Sequence, residues 1–204
     1  MREKKKENSS KKKEIYHIYL FRHGQTFYNK KKIFTGWKDS KLTNEGIKNA
    51  KIISLKLKNK KIQTAFHSSL SRSKDTLKEV LKYHPECKII VEDDRIIERS
   101  YGNIQGISHK EFIKKNGAEK FNLYHRSYDI SPPKGESIKM VEKRVKRFIS
   151  DLLVFIKKNK VNVAISAHGN SMRPFRRYFE KVSIKRMLSW EMPYEDYFDY
   201  SVKV

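Results

Sequence analysis

The sequence predicts an α/β fold on a largely parallel sheet. Short apolar runs alternate with segments of helical period. Those runs are also dense rather than strictly alternating, as in strands covered on both faces. A chain of 204 residues fits one such domain and leaves no room for two of good size.

The first strand is Ile15-Tyr16-His17-Ile18-Tyr19-Leu20-Phe21, an apolar and aromatic run. Thr43 reads as a helix N-cap with Glu45 in the first turn, and Ile47, Ala50, Ile53 and Leu57 follow on one face. Thr64–His67 is a second strand, followed by a helix over about 71–82, and Ile89-Ile90-Val91 is a third. The longest helix runs over about 136–158, with Ile138, Val141, Val145, Phe148, Leu152 and Phe155 at helical spacing. Val161–Ser166 is a fourth strand, 172–179 a helix, and Tyr197–Val204 an edge strand. Tyr124–Gly135, with Ser131-Pro132-Pro133, reads as an irregular loop suited to cover a substrate. Residues 1–14 are almost wholly polar and read as a disordered lysine-rich tail, leaving 15–204 as a single domain.

Lys and Arg number 47 against 23 Asp and Glu, a net charge of +24 that favours anionic partners: nucleic acid, acidic membranes or phosphorylated small molecules. Much of the excess lies in lysine runs, which are usually solvated surface. The sequence shows no zinc-finger spacing, RNA-binding aromatic block or basic zipper, so no specific nucleic-acid partner is expected. Cys87 is the only cysteine, which rules out an intramolecular disulfide. No apolar stretch approaches the ~20 residues of a membrane span, and a soluble, cytoplasmic protein with no membrane partner is expected.

The candidate chemistry sits where strands end. The first strand runs into Arg22-His23-Gly24-Gln25-Thr26 and the fourth into Ala167-His168-Gly169-Asn170. The second leads to Ser68-Ser69-Leu70-Ser71-Arg72. In open α/β sheets, ligands bind at carboxyl strand ends. Two histidines and two arginines delivered there suit a phosphoryl group. Guanidinium forks match its oxygens, and a neutral imidazole can attack phosphorus. A glycine beside each histidine allows close backbone approach to a ligand. The histidines lack paired ligand spacing, so no metal is expected.

These residues resemble the histidine phosphatase superfamily, and within it the 2,3-bisphosphoglycerate-dependent phosphoglycerate mutase family, over about Ile15–Met187. Arg22-His23-Gly24-Gln25-Thr26 is similar to the phosphohistidine signature, and Phe34-Thr35-Gly36-Trp37 to the block after it. Glu98-Arg99-Ser100-Tyr101-Gly102-Asn103-Ile104-Gln105-Gly106 resembles the mutase branch most specifically. The resemblance implies a three-layer fold whose mostly parallel central sheet is flanked by helices. It implies His23 as nucleophile, Glu98 as general acid and base, and Arg22, Arg72 and His168 as the phosphoryl clamp. Asn29, Thr35, Gly36, Arg99, Tyr101, His109, His125, Arg126, Gly169 and Asn170 would hold substrate. The implied reaction interconverts 3- and 2-phosphoglycerate, with 2,3-bisphosphoglycerate as phosphoryl primer and no metal. A homodimer is common among such proteins. His125 and His109 stand where mutases carry an arginine and a lysine, and the family's Gly-x-Pro element is absent near the C-terminus. These departures leave a phosphatase of the same superfamily as the alternative. Polyanion binding without catalysis, or an inactive scaffold, are more distant ones.

Overall fold

The computed structural model describes residues 14–204. The tail reading therefore lies outside the described residues except at Glu14. That residue belongs to the folded domain: its carboxylate meets Lys160 Nζ at 2.7 Å and its carbonyl accepts from Val204 N.

In chain order the main elements are β1 (Ile15–Arg22), α1 (Phe27–Lys30), α2 (Asn44–Leu57), β2 (Thr64–His67), α3 (Ser71–Val80) and β3 (Ile89–Glu92). Then come α4 (His109–Asn116), α5 (Ala118–Arg126), α6 (Ile138–Asn159), β4 (Val163–Ala167), α7 (Gly169–Glu180), α8 (Ile184–Ser189) and β5 (Tyr197–Lys203). The sheet order is β3-β2-β4-β1-β5, parallel except for β5, which pairs antiparallel to β1.

Successive strand residues point to opposite faces, and each face takes its own helices. Ile18, Leu20, Val163 and Ile165 pack with Val145, Phe148 and Leu152 of α6 and with Met172 and Phe175 of α7. Tyr19, Phe21 and Ala164 pack with Ile53 and Leu57 of α2 and with Leu77 and Val80 of α3. The expected three layers result. Each fully buried Ile or Leu contributes roughly 1.5–3 kcal/mol. A third cluster, Phe34, Tyr101, Ile104 and Phe112, lies apart from the sheet and supports α4 and α5.

Three expectations shift. Ile47 is 42% exposed, because α2 turns Gly46, Asn49, Ala50 and Ile53 inward instead. Gly46 sets that rotation: a Cβ there would lie 2.0 Å from the Gln25 carbonyl oxygen. The expected loop over 124–135 is helical through Arg126 and irregular only after it. The longest helix begins at Ile138, capped by Ser137, whose side chain accepts from Met140 N. No helix among the described residues is long and apolar enough to cross a membrane.

Candidate active site

Strands β1 and β4 pair in register, Arg22 opposite Ala167. His23 and His168 therefore leave adjacent strands at the same level, and their ring centroids lie 4.9 Å apart. His23 continues the ladder through its backbone N–H to Ala167 O at 3.0 Å. Its Nδ1 sits 2.7 Å from Gly24 O. A carbonyl can only accept, so Nδ1 carries the proton and Nε2 keeps its lone pair. Burial, then the charges of Arg72 and Arg22, hold the His23 pKa well below its ordinary value. The ring stays neutral, as a nucleophile requires.

Gly24 serves packing rather than ligand approach. A Cβ on it would lie 2.1 Å from Gly46 O at the start of α2. That contact fixes the turn after His23, helped by the Gly24 N–H bond to Thr76 Oγ1 at 3.0 Å.

The second histidine is fully buried, and its Nε2 lies 2.7 Å from Ser68 Oγ at the end of β2. Arg72 is 1% exposed and donates to Gly36 O at 2.8 Å and to Lys38 O at 3.0 Å. Burial pulls its pKa down to about 10, which leaves it cationic at neutral pH. Arg22 donates to Met192 O at 3.0 Å and lies 4.0 Å from the Tyr194 ring centroid, while its buried Nε has no partner.

Glu98 forms another wall. Its Oε1 accepts from the backbone N–H of Arg99 at 2.7 Å and of Asn170 at 3.1 Å. Behind it, Arg144 of α6 donates to Glu98 O and Arg95 O and pairs with Glu136. These side chains surround a cavity of about 640 Å³. His23, Arg22, Arg72, Glu98, Tyr101, Asn29, Thr35, Gly36, Gly169 and Asn170 line it. The roof brings His109 from α4 and His125 and Arg126 from α5 to the same space. The two imidazoles pack, tilted and edge-on, within an aromatic group. His109 lies 4.5 Å from Phe34, 5.1 Å from Phe121 and 5.4 Å from His125, centroid to centroid. Burial, then Arg126, pulls the His125 pKa down to about 3, and burial with Lys32 lowers that of His109. Both are neutral roof groups at physiological pH.

The histidine phosphatase superfamily (branch 1) model matches residues 18–200. This chain belongs to the histidine phosphatase superfamily. A Parvibaculum lavamentivorans relative named 2,3-bisphosphoglycerate-dependent phosphoglycerate mutase is 38% identical over 176 residues, covering 84% of this chain and 83% of its own length. A Schizosaccharomyces pombe relative named phosphoglycerate mutase is 37% identical over 185 residues, covering 86% and 87%. Among solved structures, one described as Mycobacterial hydrolase 1 superposes with a TM-score of 0.80 at 19% identity, covering 92% of both chains. Phosphoglycerate mutase from Bacillus anthracis superposes at 0.73 and 20% identity, covering 93% of this chain and 88% of that one. These structural likenesses concern the fold.

For this superfamily member, most residues expected from the sequence gather at one cavity. Two do not line it. His168 sits behind His23, fully buried. Arg99, expected to hold substrate, is also fully buried and is turned to the segment after α5, donating to Glu136 O at 2.6 Å and Ile130 O at 3.2 Å. The correction has a simple cause: Glu98 takes the cavity-facing place, and Arg99 satisfies loop carbonyls that burial would otherwise leave unpaired. Sequence reasoning missed Arg173, Lys32 and Tyr194, which line the cavity, and Ser68, which holds His168. Arg173 carried a usable signal, since it lies three positions after Asn170 on one helix face. Lys32 was hidden within a lysine run.

Proposed function

We propose that this chain is a 2,3-bisphosphoglycerate-dependent phosphoglycerate mutase whose catalytic domain spans residues 15–204. One observation carries the reading beyond the family. Four permanent cations border one cavity, Arg22 and Arg72 on the His23 side and Arg126 and Arg173 toward His125. A substrate with a phosphate and a second anionic group fits such a field. The relatives named phosphoglycerate mutase agree with that substrate class.

The residues present also fit the primer. Arg22 Nε is buried without a partner beside the cavity, as a donor awaiting a phosphate oxygen would be. Arg22, Arg72 and Asn29 would hold one phosphate and Arg126 and Lys32 the opposite anionic end. 2,3-Bisphosphoglycerate supplies the phosphoryl group that first charges His23. Asn29 Oδ1 is engaged by Thr26 N and Oγ1 at 3.1 and 2.9 Å, which leaves its amide N–H groups for the ligand.

Transfer to 3-phosphoglycerate then follows from the groups on the wall. Glu98 takes the proton of the free hydroxyl as the new O–P bond forms and the His23 N–P bond breaks. In the return step, Glu98 protonates the leaving oxygen while His23 Nε2 accepts the other phosphoryl group, giving 2-phosphoglycerate. Arg22 and Arg72 offset charge on the equatorial oxygens, so the scheme needs no metal. The reading carries with it a cytoplasmic location for the enzyme and its small metabolite.

The purified protein, given 3-phosphoglycerate and a trace of 2,3-bisphosphoglycerate, is expected to form 2-phosphoglycerate. Free phosphate without 2-phosphoglycerate would assign it to the phosphatases of the superfamily instead.

A further inference from the structure

Glu98, Tyr101, Asn170 and Arg173 meet on one wall of the cavity, and chemistry fixes the direction of their hydrogen bonds. An arginine side chain only donates. Arg173 Nη1 lies 2.6 Å from Asn170 Oδ1, so the amide oxygen must face it. A flipped amide would set donor against donor. The amide nitrogen then points away and donates to Tyr101 Oη at 3.3 Å. Tyr101 is the acceptor at that contact, so its own proton leaves in another direction. Among the described residues, no acceptor is hydrogen-bonded to that proton. A second donor-only group, the Arg99 guanidinium, flanks the same ring at 5.2 Å, with its buried Nη1 unpartnered.

We propose that Arg173 is a positioning residue: acting through Asn170, it turns the Tyr101 hydroxyl so that its proton points into the cavity toward an oxygen of the bound substrate. The identity of that oxygen, on a phosphoglycerate, rests on the mutase reading.

Three further facts support the relay. Arg173 is anchored, since its Nε and Nη2 donate to Trp190 O at 3.1 and 2.9 Å and hold the guanidinium in place. Asn170 also gives its backbone N–H to Glu98 Oε1, so one residue orients both the proton-transferring carboxylate and its neighbouring donor. Burial pushes the Tyr101 phenol upward, which keeps its proton on.

The test is a double-mutant cycle on kcat/KM, with 2-phosphoglycerate and free phosphate both measured. Product identity judges the mutase reading, and the cycle judges the relay. Arg173→Met and Tyr101→Phe are each expected to lose about tenfold, the scale of one directed hydrogen bond in a transition state. The double variant should lose no more than Tyr101→Phe alone. Arg173→Lys, still a donor only, should restore most of the loss. If Arg173→Met fails to fold, Asn170→Asp carries the test. Its carboxylate would draw the Tyr101 proton away from the cavity, with the same loss and the same lack of additivity. Losses that multiply, or an Asn170→Asp variant as active as the parent, would overturn the relay.

Discussion

The two ends of the cavity are built differently. The phosphoryl end is made at the carboxyl termini of β1, β2 and β4, where His23, His168, Ser68 and Arg72 are all less than 3% exposed. The roof is made by α4 and α5, which bury only Phe112 between them and leave Arg126 exposed. The first end is positioned by sheet register and backbone hydrogen bonds; the second by tilted and edge-on aromatic contacts around Phe34 and Phe121. Rigid placement suits in-line phosphoryl transfer, where small displacements are costly. A lightly held roof suits a cavity that must admit substrate and then exclude water.

The largest expected effect lies at the rigid end. Arg72→Met removes a buried cation and the donors that hold Gly36 O and Lys38 O. Steady-state assays are expected to show turnover down by about a thousandfold, a loss larger than at any roof position. A loss under tenfold would put the two ends on an equal footing.

A smaller effect is expected from Phe121→Ala, which removes a ring packed edge-on to His109 at 5.1 Å and tilted against His125 at 5.0 Å. Water should then reach phosphorylated His23. The ratio of free phosphate to 2-phosphoglycerate is expected to rise about tenfold while substrate-independent folding, read by circular dichroism, is unchanged. An unchanged ratio would mean that the roof does not exclude water.

The smallest effect is on stability against pH. His125 has its folded pKa pulled down to about 3, so the unfolded chain binds its proton first. Its stabilisation is full above about pH 6.5 and is lost as pH falls below that value toward the folded pKa. His125→Phe keeps an aromatic ring and removes the titration. The drop in Tm between pH 7 and pH 5.5 should shrink by about 3 °C in that variant. A drop as steep as in the parent would show that the ring is already protonated in the fold.

The same contrast explains what the sequence made legible. Dense apolar runs ending in His-Gly marked β1 and β4, and their register brought His23 and His168 together as the motif order implied. The edge position of β5 was also readable, though not its antiparallel pairing to β1. The helices α4 and α5 were missed because lysines dilute their apolar stripe, and their packing depends on Phe34, a residue remote in sequence. The bracing of Glu98 by Arg144 and the contact of Tyr194 with Arg22 join distant segments, and no local pattern announces them. Arg99 shows the converse: its place in a motif suggested the cavity, yet unpaired loop carbonyls claimed it.

The central claim is that His23 Nε2 carries the phosphoryl group. Brief exposure to 2,3-bisphosphoglycerate with radiolabelled phosphate, followed by alkaline quench and peptide mapping, tests it directly. An acid-labile, alkali-stable label on the peptide containing His23, absent from His23→Ala, is the expected result. Label on another residue, or full turnover by His23→Ala, would contradict it.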